Sequence, residues 1–169
     1  KNDYCILTLH RPSNVDDKNS LANIIQILKK IQQKIKIVFP IHPRTLKNIK
    51  KFNSYNKIKK LKNLIMTEPL GYLDFLCLMN NSKFVITDSG GIQEETTILK
   101  IPCITLRNNT ERPVTIEQGT NIVVSTDKKK ITDAALRLIK GLKVSSRTPN
   151  LWDGNASKRI VNILLSKLK

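Results

Sequence analysis

The sequence holds 169 residues, 40% of them hydrophobic, with a formal net charge of +17; that suits one compact domain with a proper core. It contains no apolar run of the roughly 18 residues that a membrane-spanning helix needs, so no membrane partner is expected. The charge raises nucleic acid as a partner, but it is mostly dispersed lysine with few aromatics between to stack bases, and a solvated lysine surface is the expectation.

The three cysteines, Cys5, Cys77 and Cys103, sit inside apolar runs without Cys-x-x-Cys spacing. They read as reduced, buried residues of a cytoplasmic protein. Tyr4–Leu9 is a short apolar run stopped by His10-Arg11-Pro12, which reads as a buried strand and its turn. With Lys1-Asn2-Asp3 directly before that strand, the sequence reads as a piece of a longer protein. Leu21, Ile24, Ile25, Leu28 and Ile31 follow at helical spacing, with Asp16 and Asp17 near the helix start. Residues 35–41 predict a second strand closed by His42-Pro43-Arg44, then a weaker helix over 45–52 and a lysine-rich connection. Residues 64–67 give strand three, 72–79 a helix, 83–87 strand four and 92–99 a helix. Strand five spans 101–106 and strand six 121–124. A helical stripe of Ile131, Ala134, Ala135 and Leu138 follows, then a polar link over 143–150 and a final amphipathic helix over 156–168.

Six strands alternating with helices predict an α/β domain with a doubly wound, Rossmann-like parallel sheet. Ligands of such sheets bind beyond the carboxyl ends of the strands. The turns after strands one to five should therefore line one crevice.

Within that crevice the segment Thr87-Asp88-Ser89-Gly90-Gly91-Ile92-Gln93-Glu94-Glu95 carries the strongest signal. Two glycines at the opening of a helix let a ligand approach the backbone, and the N–H groups there favour a phosphate or pyrophosphate. Glu94 or Glu95, one turn further in, is placed to accept from ribose hydroxyls. The competing reading is that Asp88 or Ser89 caps the helix and the glycines make a tight turn. His10 with Arg11, His42 with Arg44, and Arg112 add imidazole and guanidinium groups suited to an anion. Other chemistries fail on the residues. Thr87 occupies the first glycine position of a nucleophile elbow. The histidines lack metal-ligand spacing, and neither a Walker loop nor a Gly-x-Gly-x-x-Gly is present. A nucleotide diphosphate remains, with no metal and no cofactor expected.

Thr8-Leu9-His10-Arg11-Pro12-Ser13-Asn14-Val15, Glu68-Pro69-Leu70-Gly71-Tyr72-Leu73-Asp74-Phe75, the Asp-Ser-Gly-Gly-x-Gln-Glu-Glu block, Thr110-Glu111-Arg112-Pro113 and Asp153-Gly154-Asn155-Ala156 occur in this order. Together they resemble the C-terminal domain of the non-hydrolysing UDP-N-acetylglucosamine 2-epimerases. The resemblance implies a two-domain enzyme that removes the proton at sugar carbon 2, eliminates UDP and adds it back with inverted stereochemistry. It implies that Ser89, Gly90 and Gly91 cradle the diphosphate, that Glu95 binds the ribose and that Phe75 lies beside the uracil. His10, Arg11 and Arg112 would contact the phosphates, with His10 stabilising charge as UDP departs. The acid/base carboxylates would belong to an N-terminal domain outside this chain, and the full-length protein would be a homodimer. Arg11 and His42 match residues of an activator site in regulated relatives, where Ser13 replaces a glutamate and His42-Pro43-Arg44-Thr45 replaces His-x-Asn-Pro. The alternatives are the donor-binding domain of a nucleotide-sugar glycosyltransferase and, from another class, a basic nucleic-acid-binding module.

Overall fold

The computed structural model describes residues 3–144 and 146–168. Six parallel strands, β1 (Tyr4–Thr8), β2 (Lys36–Pro40), β3 (Leu64–Thr67), β4 (Val85–Thr87), β5 (Cys103–Thr105) and β6 (Asn121–Val123), stand in the order β3-β2-β1-β4-β5-β6. That is a doubly wound Rossmann-like sheet whose order reverses between β1 and β4. Register is continuous across the reversal: Ile6, Leu7 and Thr8 pair with Val85, Ile86 and Thr87.

Successive residues of a strand face opposite sides of a sheet, and β1 shows the result. Cys5 and Leu7 join the larger core cluster, whereas Ile6 joins a second cluster with Met79, Val85 and Ile101. Between the strands run α1 (Pro12–Val15), α2 (Lys18–Ile31), α3 (Pro43–Lys51), α4 (Tyr55–Lys59), α5 (Tyr72–Asn80), α6 (Gly90–Leu99), α7 (Val114–Glu117) and α8 (Lys128–Ile139). The carboxylate of Asp17 accepts the Ser20 N–H at the start of α2, and that of Asp127 accepts the Lys130 N–H at the start of α8, each satisfying a donor with no partner inside its helix. Behind these caps α2 buries Leu21, Ile24, Ile25, Ile27, Leu28 and Ile31 against the sheet, and α8 adds Ile131, Ala135 and Leu138. Helices α5 and α6 cover the other face.

Several sequence expectations need correction. Asp16 is not at the start of α2; it ends α1, where Arg44 and Asn48 reach across to it. Of the cysteines only Cys5 and Cys103 are buried, and Cys77 is exposed on α5. The cause is that α5 is apolar around most of its circumference, so part of that surface must face outward: Tyr72 and Leu73 are exposed beside it. The final helix predicted over 156–168 is present as α9 (Ala156–Lys167), and it buries no residue within this chain. Its anchor is Arg159, which reaches back to Asp153 and to the Leu151 carbonyl. Among the described residues, no helix is long and apolar enough to cross a membrane.

Candidate functional site

The site forms where β1 and β4 end side by side. Asp88, fully buried, follows β4 and accepts the backbone N–H groups of His10 (3.1 Å) and Arg11 (2.9 Å) and the Asn14 side-chain amide (3.0 Å). Nδ1 of His10 lies 3.1 Å from the same carboxylate. Burial works to raise the Asp88 carboxyl, but the hydrogen bonds from His10, Asn14 and Arg11 outweigh it and hold the group below the ordinary carboxylate range. Asn14 also donates to the Leu106 carbonyl at 3.1 Å, so the turn after β1 is tied to both β4 and β5. Asp88 is therefore not a helix cap.

Neither is Ser89. It occupies the N-cap position of α6 without a side-chain hydrogen bond to the helix, and its own N–H is taken by Thr87 Oγ1 at 3.0 Å. The opening N–H groups of α6 thus have no capping side chain. A Cβ placed on Gly90 or Gly91 meets nothing within 4 Å. The glycines are not demanded by packing inside this chain, and the space above them is open to a ligand.

Guanidinium groups converge on this loop. Arg112 Nε lies 2.7 Å from Glu94 Oε1 but is not aligned to hydrogen-bond with it. Arg107 donates to Glu111 Oε1 at 2.8 Å, while its Nη1 is buried without a partner. That bond from Arg107 holds the Glu111 carboxyl below its usual range, and the charges of Arg11 and Arg112 act in the same direction. Arg11, Arg107 and Arg112 therefore share one neighbourhood around Glu111. On the opposite side the His10 and His42 rings stand 5.5 Å apart. His42 Nδ1 accepts the Arg44 N–H and so caps α3, while the Arg44 guanidinium is committed to Asp16.

Glu95 lines a cleft of about 350 Å³ together with Tyr72, Leu76, Glu94, Ile98, Leu99 and Trp152. Burial among these apolar groups raises its carboxyl, and the Glu94 charge adds to the shift. Phe75 is half-buried and packs against the second core cluster. His10, Arg11, Ser89, Gly90, Gly91 and Arg112 are thus brought to one edge of the sheet, with Glu95 one turn further along α6. Sequence reasoning missed Arg107, whose signal was its position immediately after β5. It also missed Asn14 and Gln93, whose roles depend on partners distant in the sequence.

The family model described as UDP-N-acetylglucosamine 2-epimerase matches residues 1–165. The chain belongs to the UDP-N-acetylglucosamine 2-epimerase family. Among its relatives is the UDP-N-acetylglucosamine 2-epimerase of Methanocaldococcus jannaschii, 47% identical over 96% of this chain and 44% of the relative. A UDP-2,3-diacetamido-2,3-dideoxy-D-glucuronate 2-epimerase of Pseudomonas aeruginosa is 32% identical over 95% of this chain and 44% of its own length. The crystal structure of the M. jannaschii enzyme in complex with UDP-GlcNAc and UDP superposes with a TM-score of 0.89 at 46% identity, covering 98% of this chain and 46% of that one. This epimerase-family chain thus spans a little under half the length of the relatives it matches.

Proposed function

We propose that this chain is the UDP-holding C-terminal half of a UDP-N-acetylglucosamine 2-epimerase that interconverts UDP-N-acetylglucosamine and UDP-N-acetylmannosamine. The observation that carries the reading is the uncapped start of α6, with open space above Gly90 and Gly91 and the arginine-rich turns beside it. In the proposed reaction the proton at carbon 2 leaves to a base, the C1–O bond breaks and UDP departs with the bonding electrons. UDP then adds back to the resulting glycal, and the proton returns from the opposite face.

The residues of this chain serve the leaving group. Ser89, Gly90 and Gly91 hold the diphosphate on backbone N–H groups, while Arg11 and Arg112 offset the charge that grows on it. His10, oriented by Asp88, stabilises the phosphate oxygen as the C1–O bond opens. Glu95 receives the ribose hydroxyls, and Phe75 borders the uracil. The acid and base for carbon 2 come from the N-terminal half of the full-length protein, which we assign to the cytoplasm as a homodimer. Arg11 and His42, which faces the His10 ring, form part of a second UDP-N-acetylglucosamine site.

Calorimetric titration of the 169-residue chain with UDP tests the reading. Saturable binding is expected, and no response at millimolar UDP overturns it. The chain alone should incorporate no deuterium at carbon 2 of UDP-N-acetylglucosamine in heavy water, because the acid and base are assigned to the N-terminal half.

A further inference from the structure

We propose that Gln93 is a positioning residue that, through Thr110, fixes the Arg112 guanidinium relative to the Ser89–Gly91 loop. The inference rests on the reading of that loop as a diphosphate site. Gln93 lies on the first turns of α6, fully buried, and its side chain points three ways at once. Its amide Nε2 donates to the Ser89 carbonyl at 3.0 Å, the residue that opens the loop. Its Oε1 accepts from Thr110 Oγ1 at 2.6 Å and from the Asn121 amide at 2.9 Å.

Thr110 passes the restraint on, because its Oγ1 accepts the Arg112 backbone N–H at 2.9 Å. The Arg112 carbonyl is held as well: it accepts from Thr115 Oγ1 at 2.7 Å, and the same Oγ1 accepts from the Asn121 amide at 3.1 Å. Both backbone polar groups of Arg112 are thus clamped by threonines, and both threonines lead back to the Gln93–Asn121 pair. The guanidinium at the end of this scaffold pairs with the Glu94 carboxylate at 2.7 Å through Nε, without hydrogen-bond alignment, and donates from Nη1 to the Glu111 carbonyl at 3.2 Å. Its backbone is fixed on both sides, while its side chain is half-exposed and held by surface contacts that an anion could share or replace.

The chemistry demands an amide at position 93. One donor must meet the Ser89 carbonyl and one acceptor must take two donors; a carboxylate would set oxygen against oxygen, and a hydrocarbon would satisfy neither. Burial makes the arrangement costly to leave half-made. A residue whose only duty was to close the core could be apolar. The loop and the arginine turn, 17 residues apart from Gln93 to Thr110, are joined by this side chain.

Thr110 is half-buried in a surface turn, so Thr110→Val tests the link without opening the core. UDP affinity is measured by calorimetry for the chain as it stands, for Thr110→Val, for Arg112→Ala and for the double variant. Arg112→Ala should weaken UDP at least tenfold and Thr110→Val about three- to tenfold. In the Arg112→Ala background, Thr110→Val should cost nothing further, because the group it positions is gone. Thr110→Ser, which keeps the hydroxyl, should bind as the parent does. An equal loss from Thr110→Val in both backgrounds, or no loss in either, overturns the inference while leaving the diphosphate reading intact. Failure of the parent chain to bind UDP overturns that reading, and the inference with it.

Discussion

His10 Nδ1 stands 3.1 Å from Asp88 Oδ1 although 78 residues separate the two in sequence. The contact turns the Nδ1 side of the ring toward a buried carboxylate and fixes the orientation of the imidazole. Because the same carboxylate takes the backbone N–H groups of His10 and Arg11, it holds the whole turn and not the imidazole alone.

Asp88→Asn should therefore cost about 1–3 kcal/mol of stability, since an amide cannot accept every donor now aimed at that position. The Asp88 carboxyl lies below its ordinary value of 3.8 in the folded chain. Its contribution is then fully present above about pH 3.8 and lost as pH falls through the lower folded value. Thermal melts of parent and variant should differ at pH 7 and converge in acid. A gap that does not narrow at all as the pH is taken progressively below 3.8 would contradict the assignment.

Gly90→Val should weaken UDP by more than tenfold while moving the folding free energy by no more than about 0.5 kcal/mol. Beyond its chain neighbours and the backbone of α6 itself, nothing lies within 4 Å of the added Cβ, so the loss falls on the ligand. Calorimetry with UDP, paired with a denaturation curve, separates the two effects.

Gly119 is the opposite case. A Cβ there would stand 2.3 Å from Thr97 Oγ1 and 2.6 Å from the Thr115 carbonyl oxygen. Gly119→Ala should cost about 1–3 kcal/mol through overpacking. Trimming Thr97 to Ala should recover only part of that, because the Thr115 carbonyl belongs to the backbone. Urea titrations of the single and double variants measure both values.

Thiol titration should count one reactive cysteine in the native chain, Cys77, and three after denaturation. Burial pushes the thiol of Cys5 to about 12 and that of Cys103 to about 11, so neither supplies thiolate at neutral pH. Rapid modification of more than one thiol under native conditions would show that the core opens readily.

Removing residues 153–169 should leave the melting temperature nearly unchanged, because α9 buries nothing within this chain. Binding of a dye that reports exposed apolar surface should fall as Ile160, Val161, Ile163, Leu164, Leu165 and Leu168 are removed. A fall of several degrees would mean that α9 packs more closely than its exposure indicates.

The sheet was legible because each strand is a short apolar run that ends in turn chemistry, and the start of α6 because Asp88-Ser89-Gly90-Gly91 follows such a run. The four-residue helices α1 and α7 were not, since one turn carries no periodicity to read. The outward faces of α5 and α9 were equally hidden. When apolar residues surround a helix, spacing cannot say which side is covered, and Cys77 was misplaced for that reason. Within the site, residue types and motif order pointed to an anion as the expected ligand. The commitments of Asp88 to the β1 turn and of Gln93 to Thr110 follow from which strands are neighbours, which no local segment states.

The switch in strand order has a consequence for the newborn chain. β1 receives β2 on one side early, but its other neighbour, β4, is made only after two further strands, β2 and β3, and the helices around them. Until Val85–Thr87 emerge, the edge formed by Ile6, Leu7 and Thr8 carries unpaired backbone groups, the kind of edge to which another chain can add. The Ser89–Gly91 loop is therefore placed by the same event that closes this edge of the sheet.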